Sequence, residues 1–234
     1  MENFKEKADK IWEVANLLRG DYKRSDYGKV ILPMTVLRRL DCILKPTKNK
    51  VLNKLPAVEQ FKDNTKDITL NKIAGFNFHN RSQYDFDKLI ADPDDIASNL
   101  RNYINGFSQS SREIIEYFNF DYQIDRMDDP KADILFRVVK SFQEIDLKDM
   151  ESLEMGYVFE DLIRRFAEQS NETAGEHFTP REVIRMMVDL LFIDDKDILT
   201  KAGIVKTLYD PACGTGGMLS IAEEYVNSLN NKAT

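Results

Sequence analysis

Cysteine is nearly missing from this sequence, with 2 in 234 residues. Cys42 and Cys213 stand too far apart for a metal-ligand or dithiol redox spacing. That excludes a disulfide scaffold and a cysteine zinc site; two thiols are the simpler reading, with a bridge left open. Histidine is equally scarce, with 2 copies. His79 has no partner in sequence and reads as surface or structural; His177 has nothing at metal-ligand spacing. Long apolar runs are also missing. The longest, residues 30–37, contains Pro33 and Thr35 and meets Arg38 and Arg39. It falls well short of the ~18 apolar residues of a membrane span. The first seven residues mix both charge signs, which excludes a signal peptide. Tandem repeats and low-complexity tracts are absent.

What is present is ordinary globular material. A hydrophobic share of 42% and a charged share of 31% suit one large or two small domains with a real core. The net charge of −7 argues against a free-standing DNA binder. The charge is uneven, however. Residues 1–60 hold thirteen Lys/Arg against eight Asp/Glu, while the remaining 174 hold 20 against 32. A basic head on an acidic body could bring positive charge near nucleic acid. A solvated helix face is the plainer reading, and from charge alone it is preferred.

Periodicity marks mostly helices. Phe4, Ala8, Ile11, Trp12, Ala15 and Leu18 share a face, and Gly20 supplies a stop. Tyr27, Val30, Ile31, Met34, Leu37, Leu40 and Leu44 form a second stripe, whose Pro33 predicts a late start or a kink. Residues 45–80 read as a long polar connection with one or two short helices. Asp92 and Pro93 suit a helix start ahead of Ile96, Leu100, Tyr103 and Ile104, with Gly106 near its end. Ser111 is a candidate cap for Ile114, Ile115 and Phe118. Leu135, Val138, Val139 and Phe142 make one more helix. The polar stretch 143–151 is the best boundary. Beyond it Val158, Phe159, Leu162, Ile163 and Phe166 line another helix. Residues 204–209 are short and β-prone, and predict a buried strand.

Two strings carry chemistry. DPACGTGG at 210–217 follows that strand and precedes a helix marked by Met218, Leu219, Ile221, Ala222, Tyr225 and Val226. Pro211 holds Asp210 extended. Gly214, Gly216 and Gly217 let the backbone turn sharply and approach a ligand. The helix start would aim its N–H groups at an anionic group. The second string is GEHFTPRE at 175–182. Thr179 as N-cap, Pro180 at the first helical position and Glu182 closing a capping box explain most of it as helix initiation. Phe178 would staple onto Val183. Ile184, Met187, Leu190 and Leu191 would continue a buried face. The crowding of Glu176, His177 and Phe178 at that end goes beyond initiation. A second helix start beside the glycine loop would build a pocket for a small amphipathic ligand with a carboxylate.

GEHFTPR, followed about thirty residues later by DPACGTGG, resembles the S-adenosylmethionine-binding motifs of adenine-specific DNA methyltransferases. Order and spacing look most like the modification subunits of type I restriction–modification systems. Residues 15–20 and 30–40 look like that family's helical N-terminal domain, and residues 154–163 look like the start of its methyltransferase domain. The resemblance implies a mainly α N-terminal helical domain over 1–146. It implies the beginning of a doubly wound α/β S-adenosylmethionine-dependent methyltransferase domain over 147–234, ending after its first strand–loop–helix.

It also implies that Glu176, His177, Phe178, Thr179, Pro180 and Arg181 contact the methionine end of the cofactor. Asp210, Pro211, Ala212, Cys213, Gly214, Thr215, Gly216 and Gly217 would cradle its carboxylate and amine. His177 would be a pocket wall rather than a base. The family's further motif, Asn or Asp followed by Pro-Pro and an aromatic, holds the target amine and stacks on a flipped base. This sequence has no Pro-Pro, so no catalytic residue is assigned and these 234 residues alone are expected not to methylate DNA. No metal is expected. The residue holding the cofactor ribose falls at or beyond Thr234. Residues after about 200 are therefore expected to be poorly ordered or to lean on another chain.

The implied partners are DNA, a specificity subunit, a restriction subunit and a second modification subunit, in the cytoplasm and without a membrane. A different reading makes the chain a non-catalytic helical module that docks on a specificity subunit or DNA. A single-chain adenine methyltransferase outside type I systems is a third, disfavoured by the N-terminal match.

Overall fold

The computed structural model describes residues 2–129, 133–170, 179–194, 200, 207–213 and 216–232. The chain forms two compact units, Met1–Ser170 and Asn171–Thr234. Among the described residues there is no strand, only the isolated bridges Arg19–Tyr22 and Asn80–Phe107. The mainly helical part of the expected fold is present. Of the expected strand, residues 204–206 lie outside the described residues, and Thr207, Leu208 and Tyr209 carry no ladder pairing.

In the first unit α1 (Glu2–Glu13) buries Ala8 and Ile11. A short 3-10 turn, Val14–Asn16, continues it, and Gly20 at φ +103 ends the run. Helix α2 (Gly28–Leu44) starts well ahead of Pro33 and runs through it, rather than starting late. Pro33 lies beyond the first turn, so its missing N–H gives up a helical bond and its ring crowds the Lys29 carbonyl. Burial of Val30, Ile31, Met34 and Leu37 outweighs that loss.

The one or two short helices expected within residues 45–80 are present as two, and they take up most of the stretch. They are α3 (Lys48–Val58) and α4 (Asp63–Ala74), which pack on each other. A sparse set of buried side chains, Val51, Val58, Leu70 and Ala74, suffices. Gly75, left-handed at φ +78, closes α4. Next come α5 (Phe86–Ile90), α6 (Ile96–Asn105), α7 (Gln109–Glu116), α8 (Phe120–Met127) and α9 (Ile134–Gln143).

Two expected caps move. Helix α6 takes Asp95 as its N-cap, because the Asp92 carboxylate accepts a hydrogen bond from Asn99 Nδ2 at 3.0 Å. Helix α7 takes Ser108 rather than Ser111, because the Ser108 N–H donates to the His79 carbonyl at 3.0 Å and fixes the chain there.

At the end of α6 a Cβ on Gly106 would stand 2.6 Å from the Ser82 backbone nitrogen and 2.8 Å from Asn80 Oδ1. Backbone has no rotamer to yield. Gly106→Ala is therefore expected to destabilise the unit by about 1–3 kcal/mol, read as a lower urea midpoint at unchanged slope.

Helix α10 (Ser152–Ser170) belongs to the first unit. Its Tyr157 ring lies 5.3 Å from that of Phe4, and Phe166 lies 5.2 Å from Trp12. Phe166 also presses on Gly28, where a Cβ would sit 3.3 Å from its ring.

Part of the basic head is spent within this unit. Arg38 is buried, Arg39 bonds main-chain carbonyls, and Lys48 is buried among Asn80, Tyr84 and Tyr103. Lys10, Lys29 and Lys45 pair with Glu6, Asp26 and Asp87. The charge surplus is thus partly structural rather than a surface offered to a polyanion.

The second unit holds α11 (Arg181–Leu191) and α12 (Gly217–Lys232). Ile184 and Val188 bury against Ile221 and Ala222, with Phe192, Met218 and Tyr225 packed around them. Described residues beyond 200 therefore include a helix packed within this chain, because its apolar stripe finds α11. No helix among the described residues is long and apolar enough to cross a membrane.

Candidate functional site

The two sequence strings meet at this pair of helices. Of their residues, Glu176, His177, Phe178, Gly214 and Thr215 lie outside the described residues, as does the expected staple from Phe178.

Thr179 and Pro180 precede α11, which starts at Arg181. Pro180, at φ −56 and ψ 140, is still extended and occupies the N-cap. The expected capping box is not formed, since a proline at that position brings no side-chain acceptor. The helix start takes no side-chain cap. Arg181 reaches toward α12, with its guanidinium 4.0 Å from the Glu224 carboxylate.

The buried face of α11 is narrower than expected. Ile184 and Val188 are buried, but Met187, Leu190 and Leu191 are exposed, together with Val183 and Met186. One stripe of i, i+4 residues meets α12, and nothing among the described residues of this unit covers the second.

The glycine loop is shaped by its own residues. Asp210 Oδ1 accepts from the Ala212 N–H at 3.0 Å, a turn that an aspartate before proline favours. Pro211, Ala212 and Cys213 are exposed. The Gly216 N–H donates to the Cys213 carbonyl at 2.7 Å. Gly216 is left-handed at φ +81, and a Cβ there would meet nothing within 4 Å among the described residues. Gly217 lies close against α11. A Cβ there would stand 2.7 Å from Ile184 Cδ1. That contact joins the first residue of α12 to the first turn of α11. Two helix starts, each a positive dipole end, are thereby brought together.

Neither cysteine is in a disulfide: Cys42 is buried and Cys213 exposed. No group of three or more His, Cys, Asp and Glu among the described residues is arranged to hold a metal.

Sequence reasoning missed a polar network in the first unit. Arg38 pairs with Asp41 at 2.9 Å, and the Tyr103 hydroxyl donates to the other Asp41 oxygen at 3.2 Å. Lys48 Nζ donates to Asn80 Oδ1 and the Tyr84 carbonyl, both at 2.9 Å. Burial pushes the Lys48 ammonium down to about 8 and the Asp41 carboxyl above its ordinary value. Asp41, Lys48, Asn80 and Tyr103 line a cavity of about 230 Å³. The signal was charged residues inside the α2 stripe, at positions where a surface helix would be apolar.

Comparison with known proteins bears on both units. A family model described as the HsdM N-terminal domain matches residues 7–142, and one described as N-6 DNA Methylase matches residues 151–234. The chain is 30% identical over 142 residues to the type I restriction enzyme EcoEI methylase subunit of Escherichia coli, covering 60% of this chain and 26% of that protein. It is 28% identical over 130 residues to the MjaVII methylase subunit of Methanocaldococcus jannaschii, covering 55% of this chain and 21% of that one. To the MjaIX methylase subunit of the same organism it is 23% identical over 236 positions, covering 92% of this chain and 39% of that protein. The chain thus spans less than half the length of each of these relatives.

Proposed function

We propose, from the premise that this chain belongs to the family of type I restriction–modification methylase subunits, that its second unit forms one wall of an S-adenosylmethionine pocket. The complete subunit would transfer the cofactor's methyl group to the exocyclic amine of adenine in DNA. The observation that carries the reading is the contact of Gly217 with Ile184, which seats the glycine loop beside the start of α11. The residues fit the cofactor. An amino acid carboxylate suits the helix starts, and among the described residues nothing meets a Cβ at Gly216 to obstruct it. Asp210, with one oxygen shaping the turn, keeps a second for the amine. Thr179, Pro180 and Arg181, with Glu176, His177 and Phe178, would face the methionine end.

Bound cofactor supplies the methyl group. This chain's own residues would bind and orient it, and without Pro-Pro and its aromatic the 234 residues would not act on adenine by themselves. The exposed stripe of α11, with Leu190, Leu191 and Met186, suits a helix that lies on the sheet of a doubly wound fold. The junction between helical and methylase portions would lie near residue 146, within the stretch that neither family model matches. By family analogy the partners would be DNA, a specificity subunit, a restriction subunit and a second modification subunit, in the cytoplasm.

Calorimetric titration with S-adenosylmethionine tests the pocket. Binding is expected in the micromolar range, weakened about tenfold or more by Gly216→Val, which forces a β-branched side chain into a left-handed position. A folded chain that gives no binding heat, or a variant that binds like the parent, would sink the reading. It would leave a helical module that docks on a partner.

A further inference from the structure

The two family models stop at residue 142 and resume at residue 151. The segment between them is polar in sequence, but the structure ties it down along its whole length. Two consecutive residues of α2 hold it. Arg38 Nε donates to the Ile145 carbonyl and a terminal nitrogen of Arg38 to the Gln143 carbonyl, both at 2.8 Å. Arg39 donates to the carbonyls of Leu147, of Lys148 at 2.8 Å and of Met150 at 2.6 Å. Five main-chain acceptors thus meet two guanidinium forks. The side chains of Ile145, Leu147 and Met150 are buried at the same time. Lys148 N–H closes a turn onto Asp146, and Gln143 bonds Asp87.

Nothing about helix α2 as a helix requires this. An arginine on a helix surface normally extends into water, because its charge is solvated there and its many rotamers stay free. Two adjacent arginines turned onto one stretch of backbone spend that freedom on a single task.

We infer that Arg38 and Arg39 form a clamp that converts 143–150 from a linker into a fixed coupler between α9 and α10, and that Arg39 controls its local opening. Arg38 is shared with Asp41 and with the core of the unit. Arg39 is partly buried and serves the segment alone, so it is the residue to vary. The consequence is mechanical. Helix α10, the first element of the methylase match, moves with the helical unit, and a rearrangement of that unit is passed on to it.

Cys42 reports the state of the clamp. It lies one turn beyond Arg38 and Arg39, is buried, and sits beside the Leu147 backbone; burial pushes its thiol above the ordinary value. A closed segment shields it, and an open one exposes it. Exposed Cys213 is an internal standard for the same reaction.

The experiment is time-resolved maleimide labelling of the whole chain, with the Cys42 and Cys213 peptides resolved by mass spectrometry, across a series of urea concentrations below the unfolding transition. In the parent, Cys42 is expected to label far more slowly than Cys213. In Arg39→Ala its rate is expected to rise by about tenfold to a hundredfold, with a urea dependence shallower than that of global unfolding. Arg39→Lys, whose ammonium lacks the fork, is expected to fall between the two and decides the matter should the alanine variant not fold. Equal Cys42 rates in parent and folded variants would overturn the clamp. So would acceleration that follows the global unfolding slope in every variant, since the segment would then have no opening of its own.

Discussion

Replacing Asp41 by alanine is expected to lower the unfolding free energy of the helical unit by about 3–5 kcal/mol. The size follows from what would be left behind. The side chains of Arg38 and Asp41 are 8% and 6% exposed. Removing the carboxylate strands a buried guanidinium without its paired counter-charge, and leaves the Tyr103 hydroxyl without its acceptor. The Phe86 ring, 5.3 Å from the guanidinium, offers only a weak substitute. Asp41→Asn is expected to cost less, because an amide oxygen still accepts from Tyr103 and the Gln143 and Ile145 carbonyls still hold Arg38. Urea denaturation followed by far-ultraviolet circular dichroism reads both. An alanine variant within about 1 kcal/mol of the parent would mean that water reaches the pair and that its charges are not desolvated.

Acid should destabilise the same unit through one histidine. His79 is fully buried, not at the surface. Its Nδ1 lies 2.7 Å from Asn71 Oδ1, an acceptor, which places a proton on Nδ1. Nε2 has no hydrogen-bond partner and faces the Asp67 carboxylate across 3.7 Å. Burial drives the imidazole from its ordinary value of 6.5 down to about 4, with Arg81 lowering it further and Asp67 pulling the other way.

Below 6.5 the unfolded chain therefore takes up a proton that the folded chain refuses. Stability that is complete above pH 6.5 is lost as the pH falls toward about 4. The loss attributable to this residue is about 3 kcal/mol. Urea midpoints measured near pH 7 and near pH 5, in the parent and in His79→Gln, isolate it. The variant should lose this part of the acid slope while other carboxylates titrate alike in both chains. Parallel slopes would mean that Asp67 holds the ring protonated in the folded state.

The contrast between these two sites and the glycine loop shows what a sequence can convey. Within DPACGTGG the turn was legible because its constraints are local, and within GEHFTPRE the start of a helix at its end was legible though not its capping box. A left-handed Gly216, an Asx turn at Asp210 and a proline at a helix start are set within a few residues. The stripes of α1, α2, α6 and α9 were legible for the same reason, as period alone marks the buried face. The sequence was less informative where distant residues decide. Asp92 was free to cap until Asn99 took its carboxylate. Residues 45–80 carry too few apolar positions to show a period, although Val51, Val58, Leu70 and Ala74 meet in space. The outer face of α11 looked buried because its composition is apolar, while only Ile184 and Val188 have a helix to meet. Arg38, Arg39 and Lys48 looked like surface charge because their partners lie tens of residues away.

The hold of Arg38 and Arg39 on residues 143–150 has an evolutionary side. A guanidinium that bonds a carbonyl reads the position of the backbone and is blind to the side chain attached to it. Gln143 and Lys148 could therefore drift to many other residues without loosening the grip, whereas Ile145, Leu147 and Met150 are restricted by burial. Length is another matter. Inserting or deleting a single residue would carry every later carbonyl out of reach of its fork. Selection on this stretch should thus tolerate spelling changes and reject changes of count.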